Sequence, residues 1–583
     1  MSISNPNLPK SILAFRTYTA QMFLHDLLAG ITVGLVALPL AMAFGIASGV
    51  TPQAGIYTAV VAGFLISALG GSRTQIGGPT GAFVVIVAGI VLRFGMSGLA
   101  MVTVMAGILL VLMGLTGLGA AVRFIPRMVV IGFTNGIAVL IASTQIKDFF
   151  GLRTGPVPSE FLPRIRLLLA HAASLNAAAL GLGLGTLAIL LLLPRLTKRI
   201  PASIAALLFC TAASVLFHLP VETIGSKFGG IPRGLPPFAI PDFHAEHILP
   251  LIPSAFTVAV LAALESMLSA VVADGMTGDR HNSNVELVAQ GIANIASPIF
   301  GGIPATGAIA RTATNIRAGA RSPVSGMVHA FTLLAILLVA APLASYIPLA
   351  TLAAILFVVA YNMGEWREIG GIFQLDLTAI AVWLVTFALT VFADLTVAVG
   401  VGLALAALLY IRRIADTTTV APVTDEYIRD GLPHVLQGRI LPPYVTVLRI
   451  HGPFLWGTTE KLVEETVNLE VFAPVVILRL RNMTAIDATG IHAIESFAKR
   501  LQLSGRTMLL CGAMQQPSKL LTGSRFLDCV GRQNVMPNIQ AALDRAKEVH
   551  AAQPVAAPED AHVDVSTEVQ PRASAAAPSV THR

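Results

Sequence analysis

Residues 27–72 carry no charged side chain, although this run is more than twice as long as one membrane-spanning helix. A helix needs about 20 apolar residues to cross the hydrocarbon core of a bilayer, so the run predicts two consecutive spans with a turn at residues 48–52. Across the whole chain only 12% of residues are charged and 55% are hydrophobic, whereas a soluble domain carries about 25% charged residues. The sequence therefore predicts an integral membrane protein.

Further uncharged runs extend this pattern to fourteen predicted spans in two series of seven. Basic residues and proline-rich stretches separate the runs, and residues 147–171 and 220–249 are predicted to be loops. The first series comprises the two spans within residues 27–72 and spans at 79–94, 98–119, 127–146, 173–194 and 201–219, and the second comprises spans at 250–274, 286–300, 305–317, 323–342, 347–361, 376–393 and 395–411.

The two series share a motif at corresponding positions. Residues 77–82 read GGPTGA, and residues 301–308 contain the similar pattern GG-P-TGA, with Pro79 and Pro304 separated by 225 positions. A second pair, Pro126 and Pro348, each preceded by isoleucine, is separated by 222 positions. Two anchors at nearly the same offset indicate a duplication, and a repeat of seven spans must insert its second copy upside down. Short Gly/Pro-interrupted segments in matching positions of inverted repeats are typical of transporter binding sites.

The basic residues of the short loops predict the orientation. With the N-terminus inside, the short inside loops carry nearly all of these residues, and Arg93 is the exception. Lys and Arg in short loops favour the cytoplasmic side, so both termini are predicted to be cytoplasmic, in the inner membrane of a bacterium. The apolar stretch that begins near Leu27 is too long for the core of a signal peptide and is expected to be retained.

After Arg413 the sequence alternates between strand and helix patterns, as is typical of a small α/β domain. Strands are predicted at residues 444–450, 474–480 and 507–511, and helices at 461–469 and 489–503. The predicted division of the chain is a cytoplasmic N-terminal segment (1–25), a transmembrane domain (26–413, with repeats at about 26–219 and 250–413), a linker (414–439), the α/β domain (440–549) and a disordered tail (550–583).

Several classes of function are disfavoured by what the sequence lacks. The three cysteines are too few and too scattered for a disulfide framework or a zinc site. No Gly-Lys dipeptide occurs, so no phosphate-binding loop for ATP is present, and no basic run with interleaved aromatic residues suggests nucleic-acid binding. We therefore expect no catalytic residues, no metal and no cofactor, and any uphill transport must use an ion gradient.

The paired motifs predict an anion site. A helix that begins inside the bilayer leaves its first N–H groups unpaired and carries roughly half a positive charge at that end, so it attracts anions. Pro79 and Pro304 lie where a helix start tolerates proline, and the small residues after them leave room for an anion. Arg311, about one turn into the second short helix, adds a full positive charge. Two glycine-rich kinks that allow close helix packing are the alternative.

Glu265 is the one acidic residue within residues 248–273. An ionisable group inside a span is costly and usually functional, so Glu265 is expected to carry a proton, to balance the charge of Arg311 or to accept a hydrogen bond. Ser269 lies four residues further on the same helix face. A purely structural pair of Glu265 with Arg311 is the alternative.

Over residues 20–547 the chain resembles the SulP (sulfate permease) family of anion transporters. The resemblance is carried by residues 29–39, 77–83, 273–278 and 301–317, and the soluble part is similar to a STAS domain with the helix-opening sequence IDATG at residues 486–490. It implies a polytopic α-helical membrane protein with fourteen transmembrane segments in a 7+7 inverted repeat, divided into a core and a gate domain, and a small cytosolic STAS domain. It also implies frequent dimers and an elevator-like displacement of the core.

The resemblance further implies where the anion binds, namely between the third and tenth helix starts. Carried over residue by residue, the implied ion-coupling residues are Glu265 and Ser269. The implied substrate-binding residues are Phe44, Thr80, Gly81, Ala82, Phe83, Glu265, Ala308, Ile309, Ala310 and Arg311.

The chain departs from the family pattern at several positions. Many members have Gln after the proline of the first span, where this chain has Leu40. Sodium-coupled bicarbonate members have Asp and Thr at the positions of Glu265 and Ser269, and they have a Thr near the position of Ile309. This chain lacks the hydroxyl oxygen of that last Thr, which argues against a sodium site and favours proton symport or anion exchange. Related STAS signalling proteins have a phosphorylated serine where this chain has Ala488, so folding, dimer contacts and regulation are the favoured roles of the domain, with phosphorylation of Thr489 as a weaker alternative.

The sequence thus predicts a secondary active transporter of a small anion, with sulfate as the substrate that the resemblance implies. A proton symporter of C4-dicarboxylates is the first alternative, because the apolar first span and Glu265 resemble a dicarboxylate branch, and a bicarbonate transporter is the second. An alternative from another class is an anion-responsive scaffold or signalling protein whose STAS domain binds a cytosolic protein. The other expected partners are protons, membrane lipid and a second copy of the chain.

Overall fold

The computed structural model describes residues 8–552 with short gaps, and it divides the chain into two compact units. The first unit is Met1–Leu409 and the second is Tyr410–Arg583. From residue 553 onward the predicted tail lies outside the described residues. The internal gaps lie at residues 16, 120–125, 156, 198–200, 232–233, 235, 237, 243–244, 394, 424–440 and 524–525.

The first unit consists almost entirely of helices. Within the described residues, eight helices are long and apolar enough to cross a membrane, and every predicted span overlaps a helix. The helices are α1 (Lys10–Phe15), α2 (Ala20–Ala47), α3 (Pro52–Leu69), α4 (Val84–Leu115), α5 (Arg127–Phe150), α6 (Phe161–Ala170), α7 (Ala177–Leu196), α8 (Ala202–Leu216), α9 (Ile224–Phe228), α10 (Ala245–Thr277), α11 (Ser283–Ile299), α12 (Ile309–Arg317), α13 (Val324–Ala344), α14 (Leu349–Met363), α15 (Trp366–Ile372), α16 (Leu377–Phe392) and α17 (Leu395–Thr417), and the two short strands are β1 (Gly77–Gly78) and β2 (Thr306–Gly307).

Two of the predicted spans, 79–94 and 98–119, belong to one helical stretch. Helix α4 covers both, and only Gly95 inside it has non-helical angles, with φ 68° and ψ −169°. A positive φ is costly for residues other than glycine, so Gly95 allows a sharp kink without a separate loop. A hydropathy pattern cannot distinguish such a kink from a short turn.

The prediction of a loop at residues 147–171 is wrong in part. Helix α5 continues to Phe150, and α6 occupies the second half of the segment. The guanidinium group of Arg164 anchors α6, because it donates to Ser143 Oγ at 2.9 Å and to the carbonyl oxygen of Pro158 at 3.1 Å. The start of the first helix also differs, since α2 begins at Ala20, inside the predicted N-terminal segment.

Glycines let several helices approach each other closely. A Cβ atom placed on Gly107 of α4 would lie 2.7 Å from the carbonyl oxygen of Gly291 in α11, and one placed on Gly30 of α2 would lie 2.6 Å from Val328 Cβ in α13. Small residues at such crossings allow backbones in a membrane to pack closely. These contacts pack α4 closely against α11 and α2 closely against α13.

The second unit contains a five-stranded sheet with helices on both faces. Its strand order is β3-β4-β5-β6-β7, with β3 antiparallel to β4 and all other pairs parallel. The elements are β3 (Thr419–Pro422), β4 (Val445–Phe454), α18 (Glu460–Glu465), β5 (Val475–Ile486), α19 (Ala488–Leu503), β6 (Thr507–Cys511), α20 (Gln515–Gly523), α21 (Phe526–Val530), β7 (Val535–Met536) and α22 (Ile539–Ala552).

The predicted strands and helices of this unit are all present, with small shifts of their ends. Residues 475–480 of the central strand are buried on both faces, as expected for a parallel strand covered by helices on each side. The predicted linker at 414–439 differs from the structure, because it contains the edge strand β3, which pairs with β4.

Candidate functional site

The two GG-P-TGA segments meet in the structure. Strands β1 and β2 pair antiparallel, with Gly77 opposite Gly307 and Gly78 opposite Thr306. The backbone N–H of Ala308 adds a further hydrogen bond to the carbonyl oxygen of Ile76 at 2.8 Å. The two segments that share the motif are therefore direct neighbours, and their pairing brings the two following helix starts together.

Each strand leads directly into a helix start. A 3₁₀ turn at Gly81–Phe83 follows β1 and runs into α4, whereas α12 begins just after β2. The residues that precede these starts are Thr80 and Ala308, and neither start has a side-chain capping hydrogen bond. Uncapped helix starts carry partial positive charge and N–H groups without helical partners, which is the arrangement that binds anions.

Arg311 connects the second helix start to the first segment. Its side chain is buried, and Nη2 donates a hydrogen bond to the carbonyl oxygen of Pro79. Its Nη1 atom is also buried and has no hydrogen-bond partner among the described residues. A Cβ atom on Gly78, which has φ 144°, would lie only 2.6 Å from this Nη1. Arg311 thus brings a positive charge, with one donor unused, to the junction of the two segments.

Glu265 reaches the site from α10. Its Oε2 atom accepts a hydrogen bond from Thr80 Oγ1 at 2.9 Å. The ion pairs within 4.0 Å among the described residues do not include Glu265 with Arg311, so the direct pair that was the alternative interpretation is not formed, whereas the hydrogen-bond acceptor role is observed. The carboxyl group instead lies beside the first helix start, where it holds the side chain of Thr80.

Ser269 is placed one turn further along α10. Its Oγ lies 2.9 Å from Thr312 Oγ1, and the same Thr312 oxygen accepts the backbone N–H of Ile76 at 3.0 Å. Ser269 therefore helps to hold α10, α12 and the segment before β1 together. Its hydroxyl does not contact Glu265 directly in this arrangement.

Apolar side chains cover the first helix start. A Cβ atom on Gly81 would lie 2.9 Å from Ile141 Cδ1, 3.1 Å from Met363 Cε and 3.4 Å from Phe44 Cε1. These three side chains come from α5, α14 and α2, and Phe44 itself is only 4% exposed. Glycine at position 81 lets these side chains approach closely, and they exclude water from one side of the site.

The remaining predicted site residues differ in their exposure. Ala82 and Phe83 are fully buried, and Ala308 is 8% exposed. Ile309 is 40% exposed, and Ala310 next to it is exposed as well. The structure thus gathers all ten predicted residues around the two helix starts, with the start of α12 on the accessible side.

A row of polar residues on α11, which the sequence reasoning missed, positions the two segments. Glu286, Gln290 and Asn294 are spaced by four positions, so they share one helix face, and all three are fully buried. Glu286 Oε2 accepts the backbone N–H groups of Gly71 at 2.9 Å and Ser72 at 3.2 Å.

The same row continues to the second segment. Gln290 Nε2 donates to Glu286 Oε1 at 3.0 Å, and the side chain of Asn294 bonds both the N–H and the carbonyl oxygen of Ala305, at 2.9 and 2.8 Å. Buried polar groups require such partners. The spacing of these residues in an otherwise apolar helix was the signal that could have identified them.

Family comparison agrees with these features. Residues 23–386 match the sulfate permease family, and residues 439–542 match the STAS domain. The chain belongs to the sulfate permease family. This permease is a multi-pass helical membrane protein with a C-terminal STAS domain, and the resemblance inferred from the sequence motifs is confirmed.

Known relatives cover nearly the whole permease. The Bacillus subtilis protein YvdB, provisionally named a sulfate transporter, is 42% identical over 522 residues, which cover 89% of this chain and 97% of YvdB. The bicarbonate transporter BicA of Picosynechococcus sp. is 30% identical over 546 residues, which cover 89% of this chain and 94% of BicA. The fold is similar to that of the murine Solute Carrier 26 family member A9 anion transporter in its inward-facing state, with a TM-score of 0.83, 19% identity and coverage of 93% and 94% of the two chains.

In the STAS domain, the loop aspartate has a structural task. Asp487 caps α19, because its Oδ1 accepts the backbone N–H of Gly490 at 2.8 Å and its Oδ2 accepts that of Trp456 at 2.9 Å. Such a cap satisfies N–H groups that would otherwise lack a helical partner. This contact accounts for an aspartate at the helix-opening loop without any phosphorylation chemistry.

Proposed function

We propose that this permease is a secondary active transporter of small anions, with sulfate as its first candidate substrate. The observation that carries the proposal is the β1–β2 ribbon, which holds two uncapped helix starts together beside Arg311. An anion at this junction would gain the partial charges of both starts and the unused Nη1 donor of Arg311. Thr80 and Gly81 would contact it mainly through backbone N–H groups, because the N–H of Ala308 is already bonded to the carbonyl oxygen of Ile76.

The protonation of Glu265 decides how a divalent anion can bind here. An ionised carboxylate is an acceptor only, so it would repel sulfate, which offers no proton at neutral pH. A protonated Glu265 would instead donate a hydrogen bond and carry a proton with the anion. This reasoning supports proton symport for sulfate, with anion exchange as the alternative when the proton stays on Glu265.

Bicarbonate is the second candidate substrate, and the 30% identity to a bicarbonate transporter favours it. Bicarbonate carries an O–H group, so it can donate to an ionised Glu265 without any coupled proton. C4-dicarboxylates are a third candidate. Sulfate and bicarbonate thus call for opposite protonation states of the same side chain, and this difference makes them separable by experiment.

The proposed architecture has fourteen spans in a 7+7 inverted repeat, with both termini cytoplasmic in the inner membrane of a bacterium. It is supported by helices at every predicted span and by the antiparallel pairing of the two repeated segments. In this arrangement the core holds the two helix starts, and α5 and α14 belong to the gate that contacts Gly81. An elevator-like displacement of the core past these helices would move the anion across the membrane, and a homodimer would hold the gates still.

Proteoliposome uptake tests the proposal. Purified permease would be reconstituted, and uptake of labelled sulfate, bicarbonate and succinate would be measured with and without proton and sodium gradients. Accumulation of one of these anions, driven by a proton gradient or by counter-anion, is expected. If none of them accumulates and none competes for binding, the permease is no transporter of this kind, and a scaffold role for the STAS domain with a cytosolic partner becomes the better explanation.

A further inference from the structure

A large apolar crevice, whose lining shares no residue with the anion site, lies between α8 on one side and α2 and α13 on the other. Its volume is about 630 Å³, within the range of about 300–1,000 Å³ that is usual for ligand pockets. The floor is formed by Met42, Ile56 and Leu337, each at most 2% exposed. None of the lining residues in the described part of the chain is charged, so the crevice does not suit an ion.

The mouth of the crevice opens toward the membrane. Leu208 is 65% exposed, Leu343 is 68% exposed and Tyr346 is 54% exposed, and all three line it. Leu208 and Leu343 lie on α8 and α13, whose outer faces are surrounded by hydrocarbon in a membrane protein of this kind. Tyr346 follows the end of α13, and tyrosine is enriched at the membrane–water interface. The crevice therefore extends from the interface into the hydrocarbon layer.

The lining contains one polar atom that needs a partner. The hydroxyl group of Thr211 is buried and makes no hydrogen bond among the described residues, and Thr211 lines the crevice. A hydroxyl in apolar surroundings is unfavourable without an acceptor. Helix α8 ends at Leu216, five residues later, so Thr211 lies roughly 7.5 Å from that end at 1.5 Å per residue. With the end of α8 at the membrane–water interface, this depth lies just below the headgroups, where the ester groups of phospholipids are found.

We propose that the crevice binds one acyl chain of a membrane phospholipid, and that the ester carbonyl of this lipid accepts a hydrogen bond from Thr211. An empty gap of this size would deprive both walls of dispersion contacts, and acyl chains are the apolar groups present at this depth. The site is separate from the anion site and does not depend on which anion is carried.

A lipid in the crevice would affect the anion site through α2, which contributes residues to both. Met42 on the crevice floor is two residues from Phe44, the side chain of α2 that covers Gly81. Pro39, which also lines the crevice, lies inside the same helix. Proline interrupts helical hydrogen bonding and permits bending. An acyl chain in the crevice would therefore fix the bend of α2 and the position of Phe44.

Photolabelling tests the site. The full-length permease would be reconstituted in vesicles of phosphatidylethanolamine and phosphatidylglycerol that contain a diacyl phosphatidylglycerol with a diazirine on one chain. We expect label to be concentrated on peptides of α8 and α13 that line the crevice. Ala340→Trp and Ala212→Trp, which fill the crevice, should lose most of this label, whereas Ala335→Trp, on an exposed position of α13 outside it, should keep it.

The hydrogen bond from Thr211 has its own test. A diester probe should label wild-type crevice peptides about threefold to tenfold more than a diether probe, which lacks the carbonyl acceptor. Thr211→Val should remove this difference while keeping the label itself. A difference that survives in Thr211→Val overturns the assigned hydrogen bond.

Other outcomes would overturn the site. Uniform labelling of all lipid-facing helices would show that no acyl chain is held in the crevice. The same conclusion would follow if Ala340→Trp and Ala212→Trp both kept the label while eluting and unfolding like wild type. Cross-links from crevice peptides to another copy of the chain would identify a protein interface there instead.

Discussion

Arg311 in the second repeat donates a hydrogen bond from Nη2 to the carbonyl oxygen of Pro79 in the first repeat, 232 positions earlier in the chain. The second nitrogen, Nη1, stays buried and without a partner among the described residues. A buried cationic donor that lacks an acceptor is unfavourable, so an anion that accepts from Nη1 would relieve this cost. The contact both joins the two repeats and leaves a donor for the substrate.

Arg311→Ala is therefore expected to weaken anion binding. A hydrogen bond to a charged group contributes about 1.5–3 kcal/mol, so Kd should rise by about 10-fold to 150-fold. Isothermal titration of the purified permease with the transported anion measures the change. Arg317→Ala, an exposed position in the last turn of the same helix, is the control and should bind like wild type. Equal affinity in both variants would place the anion elsewhere.

Gly78→Ala should damage the same junction by a different route. Residue 78 has φ 144°, and a Cβ atom there would lie 2.6 Å from Arg311 Nη1. An alanine at a positive φ destabilises by about 1 kcal/mol or more, and the contact would displace the guanidinium group. We expect lower thermal stability and strongly reduced uptake. The control is Gly89→Ala on α4, where nothing lies within 4 Å of the added Cβ; it should keep the thermal stability and the uptake of the wild type. If Gly78→Ala is as stable and as active as Gly89→Ala, the assigned role of Gly78 is contradicted.

The sequence was sufficient for the family, for a helical membrane domain followed by a STAS domain, and for the proximity of the two repeated segments, because charge depletion and the GG-P-TGA motif act through local, one-dimensional signals. It was insufficient for the contacts that depend on helices distant in sequence. The sequence left three roles open for Glu265, and the structure shows the hydrogen-bond acceptor, with Thr80 as its donor; this partner could not be identified beforehand, since it depends on how α10 is rotated. The spacing of Glu286, Gln290 and Asn294 marks one helix face, but the sequence does not show that Asn294 bonds Ala305, because that contact depends on how α11 packs against the second segment.

Glu265→Gln should separate the two leading substrates. If Glu265 must be protonated to donate to sulfate, uptake by the wild type should rise as pH falls, because a larger fraction of Glu265 then carries the proton that it donates. The amide of glutamine donates at every pH, so sulfate binding in the variant should become independent of pH, while net proton-driven accumulation is lost. Counterflow and gradient-driven uptake, measured across a pH series, distinguish these effects.

The control for this experiment is Glu246→Gln, in the first turn of the same helix, which should keep the wild-type profile. If bicarbonate is the substrate, the ionised carboxylate accepts its O–H group, so Glu265→Gln should weaken binding instead. An unchanged pH profile for either anion would remove Glu265 from the coupling mechanism.

Cys511 should report the folding of the STAS domain. Burial raises the pKa of the Cys511 thiol from an ordinary value of 9.0 to about 12, although the nearby positive charge of Arg479 opposes this shift. Only the thiolate reacts with alkylating agents, so at pH 8 the reactive fraction is roughly 1 in 10,000, and labelling should rise about tenfold per pH unit below the pKa. The folded domain favours the neutral thiol, so this contribution to stability is present below pH 9 and is lost as pH rises toward 12.

Maleimide labelling followed by mass spectrometry checks this expectation. Cys529 is partly exposed and serves as the internal control that reacts in the folded protein. Cys511 should react at a comparable rate only after urea unfolds the domain. Rapid labelling of Cys511 in the folded permease at pH 8 would contradict its placement in the buried strand β6.

Glu286→Gln should loosen the loop that leads into the first segment of the anion site, at Gly71 and Ser72, without touching the anion. The two carboxylate oxygens of Glu286 accept from Gly71 and Ser72 on one side and from Gln290 on the other. An amide replaces one of these acceptors with a donor, so at least one buried N–H group loses its partner, at a cost of about 1–3 kcal/mol for each such group. We expect a lower Tm and weaker anion binding in the same variant.

Glu368→Gln, which breaks an exposed ion pair with Arg127, is the matched control, and its Tm should change little because exposed pairs contribute only about 0–1 kcal/mol. A Glu286→Gln variant as stable as this control would show that the polar row on α11 does not hold the segment in place.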